Sequence, residues 1–581
     1  MYHYNLVVFF CNTLNSNNMQ QASEVNTGNV WWKEAIIYQV YPRSFKDSNG
    51  DGVGDLKGIT EKLDYIQSLG VDAVWLNPIY SSPNDDNGYD VSDYQNIMHE
   101  FGTMDDFDEM LSEMHKRNLK LVMDLVVNHS SDEHEWFRQS RSARNNPYRN
   151  YYHWWPAENG KPAHRYSHFD VNNDAWTYDS LTDAYYLHYF SKKQPDLNWE
   201  NPQLRQEIYR MMLFWLDKGV DGFRMDVIPF ISKDTSFPEL PGSYKGDFVN
   251  YYAHGPRLHE YLQEMNREVL SKYDVITVGE NVGIAAEEAI DFVDPERQEL
   301  DMMYHFDGVN MGYVPGKFKT PSPDGYDLVE FKKMYSKWDS VFEEKGWGTI
   351  YLGNHDQPRM VSRWGNDDPK WRSLSSRMLT TFLLSMRATP FYYQGDELGM
   401  TNIKFDSIDD YRDIESINMY NNIKNNQRDL GEFIDAQKIT ARDNGRTPMQ
   451  WDGNKNAGFS DAEPWLKINP GYKTVNVAVE ETHPNSCLNY FRKMVRLRKE
   501  NPVLIYGKYD LLAKDDPNIY AYTRTSGKKK ILVLLNFTSG FPKLNINIDF
   551  TQATLLCCNY EEPTTTGQLR PYEASIYTLL N

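Results

Sequence analysis

Between about residue 31 and residue 400 the chain repeats one pattern: a short apolar run of strand length, a cluster of polar or glycine residues, then a stretch whose apolar positions recur three or four apart. Eight runs have strand character: AIIYQVY (35–41), VDAVWLN (71–77), KLVMDLVV (120–127), VDGFRMD (220–226), VITVGE (275–280), LDMMYHF (300–306), GTIYLGN (348–354) and TPFYYQG (389–395). Helical stretches such as GITEKLDYIQSLG and MDDFDEMLSEMHKRN lie between them. Eight strands alternating with helices is the number that closes a barrel, so the expected fold class is α/β, a (β/α)8 TIM barrel with additions.

Three segments depart from that pattern. Residues 1–30 are polar and Asn-rich without periodicity and read as a flexible leader. Residues 130–198, between the third and fourth strands, are rich in Tyr, Trp, His and Asn and too long for a loop, which predicts an inserted subdomain over one rim of the barrel. The barrel itself is assigned to 31–129 and 199–501. From 502 to 581 short alternating segments (YDLLAKD, IYAYTRT, KKILVLLNF, LNINIDF, SIYTLL) predict a C-terminal antiparallel β-sandwich domain.

Composition narrows the classes of function. With 61 basic and 82 acidic residues the net charge is −21, which disfavours nucleic acid and anionic membranes as partners. No run of 18 uncharged apolar residues occurs, and LVVFF near the N-terminus lacks the preceding basic residues of an export signal, so the expectation is a soluble, cytoplasmic protein. Cys11, Cys487, Cys557 and Cys558 are too few and too badly spaced for a disulfide framework or a metal knuckle. Aromatic residues make up 14% of the chain, with 40 Tyr and 15 Trp, a content that suits a cleft for the apolar faces of sugars as well as a core.

Candidate chemistry stands at the ends of the predicted strands. The third runs into Asp124, Asn128 and His129, the fourth ends in Arg224 and Asp226, the fifth in Glu280, and the seventh runs into His355 and Asp356. In a parallel barrel these ends open on one face. Arg224 and Asp226 are two apart on a strand and share a side, so the guanidinium is expected to hold Asp226 ionised and lower its pKa. Glu280 has no basic residue adjacent in sequence, and the other carboxylates are expected to raise its pKa. An ionised and a protonated carboxyl about 5 Å apart are the equipment for breaking a glycosidic bond with retention. Asp356 would then face the positive charge on the sugar ring, and His129 and His355 could donate to its hydroxyls.

A second motif, DSNGDGVGD (47–55), sets Asp47, Asn49, Asp51 and Asp55 at alternate positions with the Val53 carbonyl between them, a spacing that suits a structural Ca²⁺ or Mg²⁺. Gly58 stands where an EF-hand would have Glu, so the motif reads as an isolated metal loop. No organic cofactor is expected.

Taken together, IIYQVYPRSF, DLVVNH, QPDLNW, GFRMDV, VGEN, NHDQPR and GDELGM resemble the α-amylase family, glycoside hydrolase family 13, and most closely its oligo-1,6-glucosidase and α-glucosidase branch. The resemblance implies Asp226 as nucleophile, Glu280 as acid/base and Asp356 as transition-state stabiliser, with Arg224, His129 and His355 holding the first sugar. It implies that Asp86 and Tyr89 close the end of the pocket, Tyr89 as a stacking platform, and that Arg442 pairs with Asp86, although Arg446 is close by. It implies Ca²⁺ in the 47–55 loop. Val227, after the nucleophile, stands where the branch has Val for α-1,6 and Thr for α-1,4 preference. The expected function is hydrolysis of terminal α-1,6-linked glucose from short oligosaccharides by a monomer or weak homodimer. The alternatives are an α-1,4-preferring α-glucosidase, or a sucrose isomerase or transglucosidase. Sucrose isomerases carry an RLDRD-like basic run after the acid/base strand, and none occurs between Glu280 and His355. Asn281, following Glu280, departs from common hydrolase relatives on the acceptor side.

Overall fold

Strands Ile37–Val40, Ala73–Leu76, Lys120–Leu125, Gly222–Met225, Ile276–Asn281, Met302–His305, Thr349–Ile350 and Thr389–Tyr393 form one parallel sheet. Seven lie inside the apolar runs read from the sequence, and the fifth runs one residue past its run, to Asn281. The protein is described by a computed structural model over residues 30–169, 173–427, 429–550, 552–562 and 567–579, so nearly all of the expected leader lies outside the described residues. Consecutive strands pair through the first six, the eighth pairs with the seventh and with the first, and a parallel bridge from Met303 to Gly348 joins the sixth strand to the seventh and closes the ring.

Alternation along each strand decides what the barrel encloses. Ile37, Ala73, Trp75, Val122, Ile276, Val278, Met302, Tyr304 and Phe391 make one buried apolar cluster inside the ring. Moving two residues toward the C-terminal end of a strand stays on the same face, and there the residues turn polar: Gln39, Asn77, Asp124, Arg224 and Glu280, all buried. The apolar layers are therefore the floor on which the polar ends stand. Gly222 occupies one inward position because a Cβ there would lie 2.2 Å from the Ile276 carbonyl oxygen.

The surrounding helices begin where the sequence supplies caps. Thr103 and Asp106 form a reciprocal capping box at the start of Met104–Lys116, and Asn201 caps Pro202–Asp217. Residues 130–198 carry the helix Glu135–Ser142 and a three-stranded antiparallel sheet ordered Trp154–Pro156, Ala184–Leu187, Trp176–Asp179. A bridge from His129 to Asp196 ties this insert to the third strand's end, and one from Tyr152 to Leu197 lies within it.

Beyond the barrel, Lys508–Leu512, Ile519–Ser526, Lys529–Asn536, Ala574–Leu579 and Thr554–Cys558 make, in that spatial order, an antiparallel sheet. LNINIDF (544–550), expected as a strand, is not one. Its Leu544, Ile546, Ile548 and Phe550 instead pack as a covering layer on the cluster of Ile519, Ala521, Leu532, Leu534 and Tyr577. Three buried cations join this sheet to the barrel through carbonyl groups alone. Arg498 donates to the carbonyls of Leu384, Met386, Ala388 and Leu504. Arg524 donates to those of Ser385, Leu504, Ile505 and Gly507. Lys332 reaches those of Ala513, Asp516 and Ile519. Most of the arginines' acceptors lie at the ends of helices Arg372–Ser385 and Val503–Tyr506, where carbonyls have no intrahelical donor.

Candidate active site

One guanidinium organises the centre. Arg224 Nη1 donates to Asp124 Oδ1 and to Asp226 Oδ1, each at 2.7 Å, and Nη2 lies 2.6 Å from Glu280 Oε1. Fourth-strand register places Arg224 beside Asp124 on one side and beside Val278, two residues before Glu280, on the other. Trp75 Nε1 donates to the second oxygen of Asp124 at 2.9 Å, and the Trp75 ring lies under the guanidinium. The other oxygen of Glu280 accepts the Val227 N–H at 2.9 Å. Val227 is able to present that N–H because its backbone is left-handed, with φ 34°, a strained conformation for a β-branched residue.

The charges differ from the sequence expectation in two respects. Asp226 is not lowered: burial pushes it up to about 6, and Arg224 only moderates the rise. Glu280 does have a basic partner, supplied by the neighbouring strand. It is nevertheless raised to about 8, by burial first and then by the fields of Asp226 and Asp356, against the pull of Arg224. At neutral pH the geometry therefore holds Asp226 mainly ionised and Glu280 mainly protonated.

Asp356 completes the hollow from the seventh strand's end. Burial acts to raise it, but His355, Arg442 and Arg446 outweigh burial and hold its carboxyl far below the usual range. Burial keeps His355 itself neutral down to about pH 3, so the two arginines carry the charge at neutral pH. Arg442 Nη1 lies 3.0 Å and Arg446 Nη2 2.9 Å from Asp356 Oδ1. Gln39 Nε2 donates to His355 Nδ1 at 2.8 Å, which leaves the ring proton on Nε2, 2.7 Å from the Tyr89 hydroxyl and 3.1 Å from Asp356 Oδ2. Tyr89 stacks on His355 at 5.3 Å between centroids and donates to Asp124 Oδ2 at 3.1 Å.

Asp86, His129 and Gln194 gather beside Tyr89. Gln194 Nε2 donates to Asp86 Oδ2 at 3.2 Å, and His129 Nε2 faces the Tyr89 carbonyl oxygen at 3.2 Å. Burial raises Asp86 to about 7 and lowers His129 to about 3. Asp86 does meet Arg442, at 3.7 Å, but Asp413 and Asp356 are that arginine's nearer partners. All the residues read from strand ends and motifs thus converge, except the metal loop, which lies apart beside the 459–464 segment. There Asp47 accepts the N–H groups of Asn49, Gly50 and Gly52 and the Ser460 hydroxyl, and Asp55 accepts those of Ser48 and Gly58. Among the described residues no three Asp, Glu, His or Cys side chains converge as a metal cluster. The loop's donors are nonetheless all hard oxygens, the type Ca²⁺ takes; Asn49, Asp51 and Asp55 keep lone pairs free, whereas Asp47 would have to give up hydrogen bonds to bind.

The reading of the sequence missed Asp413 and gave no role to Gln194. Gln194 begins the QPDLNW motif and could have been marked from it. Asp413 lies in the long segment after the eighth strand, in no quoted motif, and only its contact with Arg442 reveals it.

Residues 39–507 match the family model described as the catalytic domain of alpha amylase. The chain belongs to the α-amylase family. Within the family it is 53% identical over 563 residues to an oligo-1,6-glucosidase of Parageobacillus thermoglucosidasius, covering 95% of this chain and 99% of that one. An oligo-1,6-glucosidase of Bacillus cereus is 50% identical, with 94% and 99% covered. Among solved structures, a mutant isomaltulose synthase of Erwinia rhapontici NX5 in complex with its natural substrate sucrose superposes with a TM-score of 0.92 at 45% identity, covering 96% of this chain and all of that one. These matches bear out the family and the barrel read from the sequence.

Proposed function

We propose that this glycoside hydrolase is a retaining, exo-acting α-glucosidase that removes terminal α-1,6-linked glucose from short oligosaccharides. The observation that carries the reading is the Arg224 guanidinium held between Asp226 and Glu280, with the two carboxyls at about 6 and about 8. Sharing one guanidinium keeps the two carboxyls close together, which supports a retaining pair, whose spacing is about 5 Å, over the wider gap that admits a water. In the first step an Asp226 oxygen attacks the anomeric carbon, the bond to the leaving oxygen breaks, and Glu280 gives that oxygen its proton. In the second, Glu280 takes a proton from water as the water oxygen attacks the same carbon and releases Asp226. Asp356 stabilises the ring's positive charge, while Asp86, Tyr89, His129, Arg224, His355 and Arg442 hold the terminal glucose.

The α-1,6 preference is supported by Val227 and by the oligo-1,6-glucosidases among the relatives. Sucrose isomerisation is the second reading, favoured by the likeness to isomaltulose synthase and disfavoured by the missing basic run after Glu280. Release of glucose from isomaltose, maltose, panose and sucrose separates them. Hydrolysis releases free glucose from its substrates, whereas isomerisation turns sucrose into an isomer without matching glucose and fructose. No glucose from any of the four would end the proposal. Val227→Thr is expected to raise activity on maltose relative to isomaltose, and an unchanged ratio would remove Val227 as the determinant. We also propose a structural Ca²⁺, or Mg²⁺, held by Asp47, Asn49, Asp51, Asp55 and the Val53 carbonyl.

A further inference from the structure

Arg442 stands among four carboxylates but is held in two-point fashion by one. Its Nη1 meets Asp356 at 3.0 Å, its Nη2 is 3.7 Å from Asp86, and its Nε is 3.8 Å from Glu415. Asp413 Oδ1 takes both Nε, at 3.0 Å, and Nη2. Asp413 is itself fully buried and fixed from three directions. Its Oδ1 accepts the Glu415 N–H at 3.1 Å, and its Oδ2 accepts the Ser416 N–H and hydroxyl at 3.2 and 2.8 Å, capping helix Ile414–Asn425. Its own N–H donates to Asp443 at 2.9 Å. The edge of the guanidinium that Asp413 occupies includes the Nη2 that faces Asp86.

We infer that Asp413 is a positioning residue: by holding Arg442 back it keeps Asp86 available to the hydroxyls of the terminal sugar. The inference rests on the pocket reading given above. A buried guanidinium that loses its two-point partner turns its freed nitrogens to the carboxylates left around it; Asp356 already holds Nη1, and Asp86 is within ion-pair distance of the freed Nη2. Closing that gap would occupy the Asp86 oxygens that a sugar would otherwise use. Asp226 and Glu280 are held by Arg224, with which Asp413 forms no hydrogen bond or ion pair among the described residues, and Asp356, which Arg442 touches, keeps Arg446 at 2.9 Å, so the bond-breaking groups stay as they are. The consequence is a binding defect without a matching defect in chemistry.

Kinetics on isomaltose with Asp413→Asn test this, with Ser416→Ala as the partner variant, which removes the hydroxyl's bonds to Asp413 Oδ2 and to Gln437 but leaves in place the Asp413 oxygen that holds Arg442. For Asp413→Asn, KM is expected to rise at least about tenfold while kcat stays within about threefold, and Ser416→Ala is expected to change neither. If Asp413→Asn does not accumulate as folded protein, Asp413→Ser, which keeps a capping oxygen but cannot grip the guanidinium, is read in the same way. An unchanged KM, a kcat that falls with KM unchanged, or the same KM change in Ser416→Ala would overturn the inference. Calorimetric titration of glucose into wild type and variant gives the same readout without turnover, with about tenfold weaker binding expected in the variant. A wild type that binds glucose but cleaves none of the four sugars would sink the proposed function and leave this inference standing on the titration.

Discussion

Replacing Glu280 with Gln should make the protein more stable at neutral pH while abolishing hydrolysis. Glu280 is buried, and its carboxyl is raised from 4.5 to about 8. A group raised on folding favours the folded state below its unfolded pKa and loses that contribution as pH climbs through the folded value. Between pH 4.5 and 8 the wild type must therefore take up a proton at Glu280 in order to fold. At pH 7 that uptake costs about 3 kcal/mol, and at pH 5 less than about 1 kcal/mol. Gln is neutral in both states and is spared the cost; it keeps a carbonyl oxygen for Arg224 Nη2, and the one offset is that its amide then meets the Val227 N–H, a loss that does not change with pH. Urea unfolding at the two pH values measures the difference: Glu280→Gln should exceed wild type by about 3 kcal/mol at pH 7 and approach it at pH 5. A variant less stable than wild type at pH 7, or a gain independent of pH, would refute the assignment of Glu280 as a carboxyl kept protonated by burial.

Other consequences can be checked in the same laboratory. The pH profile of kcat/KM should be a bell with limbs near 6 and 8, falling on the acid side as Asp226 protonates and on the alkaline side as Glu280 ionises; a plateau persisting beyond pH 9 would contradict the second limb. Arg524→Met strands the carbonyls of Ser385, Ile505 and Gly507, while that of Leu504 keeps Arg498, and should cost about 3–5 kcal/mol of stability, read from the shift in unfolding midpoint. Chelation by EDTA should lower the melting temperature and added Ca²⁺ should restore it, with Asp47→Ala insensitive to both. Identical melting curves with and without chelator would remove the ion.

The barrel was legible because its strands are buried on both faces and so read as unbroken apolar runs, and because polar residues follow those runs where the ring opens. What lay between strands was not legible. Sequence adjacency suggested that Arg224 belonged to Asp226 alone. The register of the fourth and fifth strands brings it to Glu280 as well, and sequence spacing carries no register. Burial, which lifts Asp226 rather than letting Arg224 lower it, is likewise a property of the assembled site. LNINIDF misled for a related reason. Its alternation is real, but a segment lying flat over a sheet buries every second residue just as a paired strand does. Asp413 carried no signal, since an aspartate at a helix start is ordinary punctuation until the arginine it grips is known.

Lys332, Arg498 and Arg524 bear on how this chain can be cut. Among the described residues none of the three forms an ion pair; their hydrogen bonds go to the oxygen ends of peptide groups that come from both sides of the seam. A truncation after the last barrel helix would uncover orphaned cations and bare helix ends together. The terminal sheet is thus a keystone of the barrel's own fold, and a version lacking it should be recovered from cells as aggregate rather than as a smaller working enzyme.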